Sequence, residues 1–93
     1  MTGQSSAVPE LFLKRVELIN SLSQANVGHL RILQQIAGYD ILLMKDPNSE
    51  ETLSAMEMSS NELTASQEQI DTLERDVAKI DEQIEQARNL EDE

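Results

Sequence analysis

The sequence has no cysteine and no tryptophan. Without thiols it can form no disulfide and no thiolate metal site. Its aromatic side chains come down to Phe12 and Tyr39. A globular core normally draws on such rings, and a platform for stacking bases requires them. His29 is the sole histidine, and no Gly-rich phosphate loop, paired-histidine helix motif or EF-hand loop occurs. Catalysis needs convergent groups with matched pKa values, and the chain offers few, so it is read as a non-enzyme without a cofactor. No apolar run approaches the length of a transmembrane span. The N-terminus lacks the basic and apolar regions of a secretory signal. The expectation is a cytoplasmic protein, with the nucleus as the alternative compartment.

What is present suits long helices: Leu, Ile, Glu, Gln, Ser and Ala dominate. A chain of 93 residues allows one domain at most, and its single-chain core would be thin. The net charge of −11 is unevenly spread. Residues 1–45 carry four bases against three acids, whereas residues 46–93 carry three bases against fifteen acids. Such an acidic half repels phosphate, which argues against nucleic acid and anionic membrane surfaces as direct partners.

Residues 1–8 are small and polar and read as a disordered tail. Pro9 and Glu10 mark a helix start, with proline in the first turn and an acid near the positive end of the dipole. Residues 9–45 then form the first helix. One seam alternates steps of four and three: Leu11, Arg15, Leu18, Leu22, Ala25, His29, Ile32, Ile36, Tyr39 and Leu43. A second stripe runs beside it through Phe12, Val16, Ile19, Leu30, Leu33, Ala37 and Met44. Two adjacent stripes make a face too wide for one partner helix, as in a bundle.

Residues 46–49 break the pattern. Asp46 is a good N-cap and Pro47 a good first helical residue, so the second helix is expected to begin near Pro47 or Ser49. A link this short permits a sharp hairpin or a kinked rod. Residues 50–90 form a coiled-coil helix, with Met56, Leu63, Ile70, Val77 and Ile84 spaced by seven and Leu73, Ile80 and Ala87 between them. Ser59 and Ser66 weaken the early seam, and Ser59 to Glu62 resembles a capping box, so a kink near residue 59 is an alternative. Residues 91–93 are an acidic end that should fray. The expected fold is therefore all-α: two long helices, as hairpin or kinked rod, within a coiled-coil or helical bundle.

Several residues interrupt the pattern. His29 on the seam reads as a hydrogen-bonded or edge histidine, or as a polar layer that sets register. Gly28 and Gly38 mark either a close helix approach or a solvated face. Arg15 should snorkel to the rim. The carboxylates of Asp71, Glu74, Asp76, Asp81 and Glu82 form a solvated face, with nothing to fix their geometry around a metal ion.

The run containing Gln69-Ile70-Asp71, Glu74, Val77, Lys79 and Asp81 resembles the C-terminal coiled coil of the second subunit of the biogenesis of lysosome-related organelles complex. Upstream, Ile19-Asn20 with Leu30 is similar to that family's Met-Asn and following leucine. The Asp46-Pro47 break departs from the family's more continuous helix. The resemblance implies a scaffold in organelle biogenesis and endolysosomal trafficking. Small helical subunits of kinetochore, transcription-coactivator and tethering complexes share the same features.

The functional expectation is a non-catalytic structural subunit that contributes helices to a hetero-oligomeric assembly with other helical subunits. Its partner-facing residues are expected to be Leu18, Leu22, Ile32, Leu33 and Ile36 in the first helix, with Leu63, Ile70, Leu73, Val77, Ile80 and Ile84 in the second. The seam flanks include Gln67, Glu74, Asp76 and Asp81, and two copies in register would set their carboxylates together, which favours a heteromer. The alternative is a homodimeric coiled-coil adaptor or regulator that binds one client.

Overall fold

The computed structural model describes the backbone of residues 7–92 and the side chains of residues 7–90. Two helices account for all but four of these residues, and no strand occurs among them. Helix α1 spans Ala7–Lys45 and helix α2 spans Glu50–Asp92. The fold is all-α, as the seven-residue periodicity requires.

Helix α1 begins two residues before Pro9, so Ala7 and Val8 are helical rather than part of a tail. Pro9 then lies in the first turn, where a missing N–H costs nothing. The rest of the expected tail, residues 1–6, lies outside the described residues, as does Glu93. Helix α2 continues through Asp92, past the expected boundary at residue 90. It also runs unbroken through residue 59, so the serines there neither kink nor restart it.

The break at 46–49 is a tight turn. The Asp46 N–H donates to the Leu42 carbonyl at 3.0 Å and closes α1. The Ser49 N–H donates to the Asp46 carbonyl at 3.3 Å, which makes 46–49 a β-turn with Pro47 at its second position. No described residue has positive φ, in keeping with a type I turn. The N-cap of α2 is Ser49 rather than Asp46. Its Oγ accepts from the Thr52 N–H at 3.3 Å, and its carbonyl accepts the first helical bond from Leu53 at 3.0 Å. Asp46 has its carbonyl in the turn, and Pro47 is spent on the turn's fixed φ rather than on starting a helix.

By packing, the chain divides into two units. Residues 24–70 form one, which contains the turn. The described residues up to Ser23, with those from Asp71 onward, form the other. In the first unit His29 of α1 meets Ser66 of α2, so the helices fold back as a hairpin. In the second, Arg15 of α1 pairs with Asp81 of α2, and Arg88 lies over the Phe12 ring at 5.6 Å. Each unit is thus an antiparallel pair of helical segments, and the kinked rod is set aside.

Heptad letters fix the geometry. The α1 seam residues take positions a and d, with His29 at a and Ile32 at d. In α2, Met56 takes a and Ser59 takes d. Positions e and b of both helices then border one side of the seam, and g and c the other. All ten α1 seam residues are half-buried, and none in α1 is fully buried. In α2 the seam holds the only buried residues among those described, Ser59, Ile70 and Ile84. Met56, Leu63, Ser66, Leu73, Val77, Ile80 and Ala87 are half-buried. Full burial of such an apolar side chain contributes roughly 1.5–3 kcal/mol, so half-buried seams stabilise each unit only modestly.

Candidate interaction surface

The two apolar stripes of α1 differ in burial. Phe12, Val16, Ile19, Leu30, Leu33, Ala37 and Met44 occupy positions e and b, and every one is exposed. Helix α2 therefore covers the first stripe and leaves the second exposed, touching it at Phe12 through Arg88. Val27 and Ile41, at position f, widen the open strip. Isolated apolar residues on a surface need no explanation, but grouped ones do: Phe12, Val16 and Ile19 lie together in one unit, and Leu30, Leu33, Ala37 and Met44 in the other.

Ten of the eleven expected partner-facing residues lie on the seams that the two helices share. Leu18 and Leu22 belong to one unit with Leu73, Val77, Ile80 and Ile84. Ile32, Ile36, Leu63 and Ile70 belong to the other. All ten are half-buried or buried. Leu33 alone falls outside the seam, and 42% of it is exposed. Sequence periodicity finds the apolar positions but cannot rank two parallel stripes. The stripe at e and b, to which Leu33 alone of the eleven belongs, is the one that stays exposed.

Polar residues punctuate the seam, and two of them, His29 and Arg15, reach across to α2. His29 Nδ1 lies 3.0 Å from Ser66 Oγ, both half-buried. Ser66, which weakens the apolar repeat, is thus half of a polar layer. No buried side-chain nitrogen or oxygen among the described residues lacks a hydrogen-bond partner. Arg15 reaches Asp81, whose hydrogen bond and charge raise the guanidinium pKa above its ordinary value. Gly28 and Gly38 face open space: a Cβ at either would meet nothing within 4 Å. Neither glycine makes room for a helix of this chain.

The paired segments leave shallow grooves beside the seams. In the unit of residues 24–70 a groove of about 320 Å³ is lined by His29, Leu63, Thr64, Gln67 and Glu68. In the other unit, Phe12, Arg15, Asp81, Ile84 and Arg88 line a larger groove of about 790 Å³. No described helix is long and apolar enough to cross a membrane. No family model, curated protein or solved structure matches the chain.

Proposed function

We propose that this chain is a non-catalytic structural subunit that lends two helices to a hetero-oligomeric helical bundle. The observation that carries the reading is the open stripe of α1. From Phe12 to Met44 its apolar side chains remain exposed after the chain's own helices have paired. The acidic balance of residues 46–93 favours partners of opposite charge over copies of itself. His29 and Ser66 stand at the distance of a base and a nucleophile. Both lie inside helices, however, where backbone N–H groups are already bonded and cannot stabilise an oxyanion. They serve the seam as a polar layer.

The likeness of residues 68–81 to a subunit of the organelle-biogenesis complex supports a setting in endolysosomal trafficking, in the cytoplasm. Co-purification from the native source with mass spectrometry tests this, since the partners' identities define the assembly. Sedimentation of the purified chain tests the class. A monomer, or a marginally folded species rescued by a partner, is the expected result. A stable, well-folded symmetric dimer overturns it in favour of a homodimeric adaptor.

A further inference from the structure

Charge is segregated across the unit of residues 24–70. On its e and b side, α1 presents Asn26, Leu30, Leu33, Ala37, Asp40 and Met44. Across the seam, α2 presents Glu50, Leu53, Glu57, Ser60, Thr64 and Gln67. These twelve positions hold three acids and no base. The unit's two bases, Arg31 and Lys45, both stand at position c, on the opposite side. The same acidic side carries exposed apolar residues, with Leu30 56%, Leu33 42%, Met44 83% and Leu53 47% accessible. Between the helices on this side lies the groove floored by His29 and Leu63 and edged by Glu68.

From this we propose that the e and b side of residues 24–70 is a docking face for one amphipathic helix of another protein, its apolar stripe bordered by lysine or arginine. The inference rests on the subunit reading above and adds the face and the chemistry of the partner. An apolar row from Leu30 to Met44 repeats at helical spacing and extends about 21 Å at 1.5 Å per residue, so it matches a partner helix of about four turns. A helix laid there buries its apolar face on Leu30, Leu33 and Met44. Its flanks then approach Asp40 on one helix and Glu57 on the other, and only basic flanks are attracted. A second copy of this face fits poorly, because it adds three more carboxylates and no base to the same interface. Nucleic acid is repelled for the same reason.

Two designed peptides, about four turns long, test this on the full chain. Each has the same leucine stripe; one has lysine flanks and its twin has glutamate flanks. Binding is read by fluorescence anisotropy at low and high salt, and the state of the chain by sedimentation. The lysine peptide is expected to bind roughly tenfold more tightly than its twin, with the difference shrinking as salt rises. Leu33→Ser is expected to weaken the lysine peptide roughly tenfold, since it removes a buried apolar side chain from the complex. Gln86→Ser, exposed in the other unit and outside the apolar stripe, should leave binding unchanged. Asp40→Lys combined with Glu57→Lys should transfer the preference to the glutamate peptide. Circular dichroism of each variant shows that the helices persist. Equal binding of the two peptides, or none by a monomeric chain, overturns the face assignment and leaves the subunit reading standing. A stable dimer overturns the subunit reading, and if Leu33→Ser dissolves that dimer the face assignment falls with it.

Discussion

At the scale of single residues, the polar members of the seam carry the clearest consequences. His29 and Ser66 satisfy each other at 3.0 Å, so deleting either leaves a half-buried polar group without its partner. A double-mutant cycle on His29→Ala and Ser66→Ala is expected to give a coupling of about 0.5–1.5 kcal/mol in thermal or urea denaturation. A coupling near zero would mean that water serves both groups equally well. The glycines behave oppositely. Each sits inside α1 with open space where a Cβ would go. Gly28→Ala and Gly38→Ala should each raise stability by about 0.5–1 kcal/mol, measured as a higher melting temperature, because alanine loses less backbone entropy on folding. If alanine instead weakens only the complex with partners, a foreign helix approaches at that position. Neither the His29–Ser66 bond nor the open glycine faces could be read from residue order. Both depend on which residue of α2 arrives opposite, and the sequence holds that information only through the turn.

At the scale of elements, the helices were legible because their signals are local. The steps of four and three from Leu11 to Leu43, and of seven from Met56 to Ile84, mark the residues that become half-buried or buried. The break was legible for the same reason: Pro47 cannot sit in a continuing helix. The sequence allows a start near Pro47 or Ser49 because Asp46 and Ser49 are both good capping residues, and only the turn's hydrogen bonds choose between them. Ser49→Ala is accordingly expected to cost about 0.5–2 kcal/mol in thermal denaturation, whereas Ser49→Asp should retain most of the stability. Asp46→Ala, whose side chain caps nothing in this arrangement, should cost less than Ser49→Ala; the reverse order would restore Asp46 as the cap. Farther along α2, Val77 is half-buried on the seam and Glu82 is exposed. Val77→Asp forces a carboxylate into an apolar contact and should cost about 2–3 kcal/mol, read by urea denaturation. Glu82→Lys should stay within about 0.5 kcal/mol. Equal effects of the two would mean that the seam at Val77 is not what holds its unit together.

At the scale of the whole molecule, charge asymmetry was plain in the sequence, but the surface it shapes was not. Two apolar stripes run along α1, and periodicity gives them equal weight. The choice of which one the chain covers itself follows from the hairpin, and that turns on four residues at 46–49. The consequence for assembly is a sign. If the partner's contacting helix is basic, association should weaken as salt screens the attraction. If copies of this chain pair with each other, salt should strengthen them by screening like charges. Sedimentation or anisotropy across a salt series reads that sign directly, and salt-strengthened pairing of the isolated chain would sink the heteromeric proposal. The tight turn also has a consequence in time. His29 and Ser66 are 37 residues apart in the chain, whereas Arg15 and Asp81 are 66 apart. Closing the longer loop first costs more chain entropy than extending a pair already closed nearer the turn. Pairing should therefore begin beside Pro47 and advance toward the termini. During synthesis the first-made end of α1 is then the last to be covered, which leaves its seam residues Leu11, Leu18 and Leu22 available to a partner before the chain has finished folding on itself.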